Sequence, residues 1–399
     1  MTVIYQTKMC ETEAVDQVDR LPSRDRVTKW DIAGFIISII SHLVDLIFDC
    51  NLAYRYYTDN QIQYFYITLV FILVPAMVNT CFSIRMYVLD REKHRNPSLP
   101  NRLTKRGFFC IFILLLQLAP VLRYVDALNY ALKSKKAEKE RDVENQRKYY
   151  KLMVQEDSDV ALLRVLECFL EAAPQQILQL SIIFHTHGQG ITNTLTFMHQ
   201  LLSIGSSFAS MAWSMASYQR LLRVSLNNKN NITWAGTIMQ FMWHFLVTVS
   251  RIMCISVVAS IYPEYTVIAL VVHWAFMVIW LLISTHQLSF CNNNHIYELL
   301  FYMIFGTVFI FTHVSLNDGR TLWKYVFFYM TLCVENVVCT IIWMLKADAV
   351  LKSTLYYEPI LYINFISFFI GILFMIVYYK IFHPSTGYLS RLRPNAVNS

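Results

Sequence analysis

Apolar stretches of about twenty residues, separated by short polar connectors, recur along this chain from Asp31 to Phe382. About twenty helical residues are what the hydrocarbon of a bilayer demands at roughly 1.5 Å per residue. The stretches run approximately over 31–57, 64–88, 107–132, 160–184, 195–220, 234–260, 266–286, 295–314, 325–345 and 358–382. The pattern predicts an all-α polytopic membrane protein.

Two stretches read differently from the rest. After FFCIFILLLQLAP the third meets Pro120, Arg123 and Asp126, and an uninterrupted apolar run of about 10–14 residues fits a re-entrant hairpin better than a crossing. Charge in the connectors agrees, because Lys and Arg collect on the cytoplasmic side. The arm before the first stretch holds Lys8, Arg20, Arg24, Arg26 and Lys29, and the loop after the second holds Arg91, Lys93, Arg95, Arg102, Lys105 and Arg106. A crossing at 107–132 would place the eight Lys and Arg residues of KSKKAEKERDVENQRKYYK outside. The same count makes 295–314 a second hairpin, which keeps Arg320 and Lys324 inside.

The expected architecture is therefore eight transmembrane helices plus two re-entrant helical hairpins in two pseudo-symmetric halves. A cytoplasmic arm, 1–30, precedes the first membrane repeat, 31–220, with its hairpin at 107–132 and a basic cytoplasmic loop at 133–159. The second repeat, 234–382, has its hairpin at 295–314, and 383–399 is a cytoplasmic tail. The sequon Asn231-Ile232-Thr233 falls inside and is expected to carry no glycan.

Composition adds exclusions. The 399 residues are 56% hydrophobic and only 15% charged, too apolar for a soluble domain of this length. The first 30 residues lack an apolar h-region and a small-residue cleavage site, so no cleavable signal peptide is expected. Nine cysteines include no CxxC pair, and neither a disulfide framework nor a zinc site follows. No Gly-rich phosphate loop, HExxH or GxSxG is present, so neither an enzyme nor a bound cofactor or metal is expected, and no nucleic-acid partner.

Polar residues inside the apolar stretches carry the functional signal. Asp31, Asp45 and Asp49 share one helical face at offsets of 14 and 18 residues and span about 27 Å of depth. In the fourth stretch Arg164, Glu167, Glu171, Gln175 and Gln179 fall within about 120° by the 3.6-residue period, and Pro174 should kink the helix beside Glu171. Arg251 and Glu335 are further buried charges, with His244 and His273 as weaker cations. Each central charge costs roughly 2.5–3.5 kcal/mol, so two readings stay open: ion pairs that tie helices together, or a polar lane for a substrate. The rungs outnumber the evident cations and are spread through depth, which favours the lane.

The segments ECFLEAAPQQILQL (167–180), NDGRTLWKYVFFYMTLCVENVVCTIIW (317–343), VDLIFDCNLAYRYY (44–57) and YYKIFHP (378–384) resemble the XK-related family of membrane proteins, some of which are caspase-activated phospholipid scramblases. The resemblance implies eight spans with two membrane-inserted hairpins in the plasma membrane. It also implies energy-independent movement of phospholipids, including phosphatidylserine, between leaflets during apoptosis. Activation in such proteins is by caspase removal of a terminal segment. The tail after Phe382 has no Asp, whereas DQVD at 16–19 offers Asp19 as a cleavage position, with Arg20 as an unfavourable neighbour. Some members pair with an accessory membrane protein through an extracellular cysteine; the expected outside loops have none. The alternative is a membrane scaffold that docks a lipid-transfer or signalling partner on 133–159.

Overall fold

The computed structural model describes residues 26–94, 118–186, 194–225, 231–284, 291, 294–314, 322–347, 349–354 and 356–384. Asp19, the tail 385–399, residues 107–117 of the first expected hairpin and the loop 95–106 lie outside them. Every regular element among the described residues is helical: α1 (Lys29–Thr58), α2 (Ile62–His94), α3 (Ala119–Lys139), α4 (Val143–Glu167), α5 (Ala173–His185), α6 (Thr194–Ser225), α7 (Trp234–Ile261), α8 (Pro263–Ser284), α9 (His295–Val308), α10 (Leu322–Lys346), α11 (Ala349–Lys352), α12 (Tyr357–Tyr362) and α13 (Phe368–Val377). Among the described residues six helical runs are long and apolar enough to cross a bilayer: Lys29–Thr58, Ile62–Leu89, Trp234–Ile261, Pro263–Ser284, Leu322–Lys346 and Tyr357–Phe382.

The chain forms two compact units, Met1–Glu167 with Tyr218–Asn231, and Cys168–Ser217 with Ile232–Ser399. In the first, α3 and α4 pack along each other as a helical hairpin against α1 and α2. Pro120 begins α3, where its missing N–H leaves no helical bond unmade. Segment 133–159, the basic connector, whose sequence is helix-prone and mixed in charge, is helical except at the turn around Glu140–Asp142. The reason lies in spacing: Ala127, Tyr130, Ala131, Ser134 and Ala137 recur at three and four residues and are buried, an apolar stripe that the surrounding lysines conceal in a reading based on charge.

In the second unit α7 is central, packing on α5, α8, α10 and α13. Close approach to α13 occurs at Gly371, where a Cβ would stand 2.8 Å from Val247 Cγ2 and 3.2 Å from the Val247 amide nitrogen. Gly371→Ala is expected to destabilise the protein by about 1–3 kcal/mol, read as a lower unfolding temperature in detergent. Gly34→Ala, where nothing beyond the neighbouring turns of α1 lies within 4 Å of the new Cβ, is the control and should leave that temperature unchanged or raise it.

Trp243 of α7 is fully buried and donates from Nε1 to the Tyr329 hydroxyl at 2.9 Å. Tyr325, Tyr378 and Tyr379 surround its ring, so the YYKIFHP ending contributes two tyrosines to the packing of this helix. α9 has 14 residues, about 21 Å of helix, short of a roughly 30 Å hydrocarbon core. It gives way to a non-helical, buried stretch at 310–314.

Candidate functional site

α1 starts from Thr28, whose Oγ1 accepts from the Asp31 amide at 3.2 Å while Asp31 Oδ2 accepts from the Thr28 amide at 2.8 Å. This reciprocal capping box satisfies two helix-end donors, so the first rung of the aspartate series is engaged by its own helix end. Asp45 and Asp49 lie further along. Only 11% of the most apolar window of α1 is buried, and Asp45 is exposed, as are Val44, Ile47 and Phe48. Asp49 is half-buried one turn on.

Within the same unit, α4 supplies the charges that answer Asp45. Glu167 Oε1 lies 3.1 Å from His42 Nδ1, and Arg164, Glu167 and His42 are the charged groups acting on Asp45. The helices thus bring Asp45, Arg164 and Glu167 together and add His42, which the sequence reading missed. The signal was there: eleven residues after Asp31 is three turns plus about 20°, on the same face as the aspartates.

The chain stays helical beyond Glu167 but changes pitch, with a π turn over Cys168–Ala172 before α5 begins next to Pro174. Pro174 has no N–H to offer the Leu170 carbonyl, and a wider turn is one way to accommodate that loss. The 3.6-residue period on which Gln175 and Gln179 were placed on the face of Arg164 does not run through this turn. Glu171 and Gln175 are buried and Gln179 is half-buried.

In the second unit Arg251 is 2% exposed, and each of its three guanidinium nitrogens donates. It donates to Glu335 Oε2 at 2.6 Å, to Asn336 Oδ1 at 3.2 Å and to the Ile310 carbonyl at 2.9 Å. His273 touches Glu335 Oε1 at 2.7 Å and the Phe309 carbonyl at 3.2 Å. Those two carbonyls follow the end of α9, where backbone acceptors have no helical partner and cationic side chains are favoured. The sequence offers Arg251 and Glu335 as two buried charges without pairing them, and the backbone acceptors carry no sequence signal.

A third cluster was read only as an interruption of the third stretch. Arg123 is 0% exposed and donates to Glu156 at 2.8 Å, Asp159 at 3.2 Å and both oxygens of Ser83 at 3.1–3.2 Å. Its guanidinium lies 4.0 Å over the Tyr87 ring, and Tyr87 donates to Asp126 at 2.7 Å. Among the described residues no three His, Cys, Asp or Glu side chains gather as a metal site.

The arrangement therefore has two kinds of charge. Arg123 and Arg251 are enclosed, with an acceptor at every guanidinium nitrogen, as a brace between helices requires. Asp45 is open at the surface of an apolar helix, with a cation and a second carboxylate behind it. A family model described as XK-related protein matches residues 33–384. Cell death abnormality protein 8 of Caenorhabditis elegans is 29% identical over 385 residues, covering 92% of this chain and 81% of its own length. The protein of the same name from Caenorhabditis briggsae is 27% identical over 387 residues, with the same 92% and 81% coverage.

Proposed function

Since the chain belongs to the XK-related family, we propose that it moves phospholipids, phosphatidylserine among them, between the leaflets of the plasma membrane without energy input during cell death. The observation that carries the reading is Asp45. A carboxylate near the middle of an apolar, largely uncovered helix pays a desolvation cost that a passing headgroup, with its ammonium and phosphate, would relieve. Arg164 and Glu167 provide complementary charge beside it, so a zwitterionic headgroup meets both signs while its acyl chains remain in lipid. The cell-death names of two relatives support the setting.

The finer topology belongs to the same proposal: eight crossings, re-entrant segments at 107–132 and 295–314, repeats over 31–220 and 234–382, and both termini cytoplasmic. Its support is the short α9 and the buried carbonyls after it, which are held by Arg251 and His273 as non-helical backbone at membrane depth must be. Switching is assigned to caspase cleavage after Asp19, on the strength of the DQVD sequence.

Purified protein in liposomes with a fluorescent headgroup-labelled lipid provides the test. Intact protein is expected to scramble slowly and protein truncated after Asp19 several-fold faster; no transbilayer movement by either would end the proposal. Asp19→Ala is expected to abolish fragment release by caspase and to leave phosphatidylserine exposure on apoptotic stimulation at background. A scaffold holding a partner on the α3–α4 hairpin is the second reading, favoured by its exposed lysines. It requires that charge reversal there remove a partner and leave liposome transport unchanged.

A further inference from the structure

We propose that the basic tip of the α3–α4 hairpin is the docking surface for this chain's own acidic segment, residues 11–19. The chain entering α1 is already fastened to that hairpin. Arg26 Nε lies 2.5 Å from Glu138 Oε1 near the end of α3, and Val27, 3% exposed, is part of the apolar cluster that includes Tyr130, Ala131 and Met153. Arg26, to which the acidic segment is joined, therefore lies next to the tip.

Charge gives the segment and the surface opposite signs. Glu11, Glu13, Asp16 and Asp19 occur with no Lys or Arg among residues 9–19; Arg20 and Arg24 lie between this run and the anchor. At the tip Lys139, Arg141, Lys148 and Lys151 are exposed, while two of the four acids there are paired with a cation. Glu138 binds Arg26 and Glu140 lies 3.8 Å from Lys136. Asp142 accepts from the Asn145 amide and side chain at 3.1 and 2.7 Å, bonds that hold its carboxyl below the usual range. Glu144 is the one other acid of the tip.

The turn itself favours the same reading. Arg141 has a φ of 59°, a left-handed conformation at a helix end where glycine carries no steric cost. The hairpin closes around it through the Asp142 amide on the Ala137 carbonyl at 3.0 Å. A guanidinium is thus retained at the apex in a backbone conformation that disfavours it, a pattern associated with functional positions. Reach is ample: seven residues from Arg26 to Asp19 extend to at most about 24 Å and fifteen to Glu11 about 50 Å, whereas Val143 to Lys151 measures about 12 Å along α4. Cleavage after Asp19, as proposed above, would remove all four acids of the run in one step.

Zero-length carbodiimide cross-linking of the full chain in neutral-lipid nanodiscs, mapped by mass spectrometry, tests the contact independently of lipid transport. Amide links from Glu11, Glu13, Asp16 or Asp19 to Lys139, Lys148 or Lys151 are expected at 50 mM salt. They should fall at least fivefold at 1 M salt, where screening shortens to about 3 Å. Arg141→Gly, which relieves the backbone, should reduce the links at least twofold without lowering the unfolding temperature. Absence of these links, links predominantly to lysines outside the hairpin, or links indifferent to salt would each overturn the proposal. So would their disappearance in discs containing about 30% phosphatidylserine, an outcome that would give the tip to anionic lipid instead.

Discussion

Arg123→Leu is expected to destabilise the protein by about 3–5 kcal/mol, the range for removing one partner of a buried ion pair. The mutant leaves Glu156 and Asp159, at 7% and 2% exposure, without the guanidinium that both accept from. It also removes two hydrogen bonds to Ser83 and the stack on Tyr87, which join α2, α3 and α4 at one point. The control is compensatory: Arg123→Leu with Glu156→Gln and Asp159→Asn carries no uncompensated charge and should recover most of the lost stability. Thermal unfolding in detergent, followed by the fraction remaining monodisperse, reads both variants. A single mutant as stable as the parent would mean that Arg123 is not a brace.

The six long spans were legible because an apolar window of that length has few other uses. Arg251 and Glu335 were legible as buried charges but not as partners, and the apolar spacing of 127–137 was present but masked by lysines. What stayed hidden shares a physical character. The acceptors for Arg251 and His273 include backbone carbonyls after α9, and a carbonyl is the same in every residue. Arg123 was read as a break because a single arginine in an apolar run looks like the end of a membrane segment; only the pairing of α3 with α4 brings Glu156 and Asp159, more than thirty residues away, to meet it. The π turn at Cys168–Ala172 was half visible, since Pro174 announced an interruption, but not its geometry. That change of pitch makes the five-residue polar stripe in the fourth stretch a less reliable guide than the aspartate face of α1, where the helix runs unbroken.

Asp45→Leu is expected to lower scrambling in liposomes by on the order of ten- to a hundredfold while leaving the unfolding temperature unchanged or higher. The two readings of the charged residues part at this position. A brace is enclosed by its partners, so its loss strands them and the fold weakens, as argued for Arg123. Asp45 is exposed, and replacing it by leucine removes a charge that costs roughly 2.5–3.5 kcal/mol at membrane depth, while Arg164 keeps Glu167 as a neighbour. Transport should respond in the opposite direction. A headgroup deprived of one charged hydrogen-bonding partner loses about 1.5–3 kcal/mol, and each 1.4 kcal/mol on a barrier is about tenfold in rate. Asp45→Asn should fall between the two, retaining a hydrogen-bonding group without the charge. Glu167→Gln should slow transport and also lower stability, because its carboxylate holds His42 at 3.1 Å. If Asp45→Leu scrambled at the parent rate, the α1 face would not be the lipid path. If it lost stability in step with activity, Asp45 would join Arg123 and Arg251 among the residues that hold the helices together.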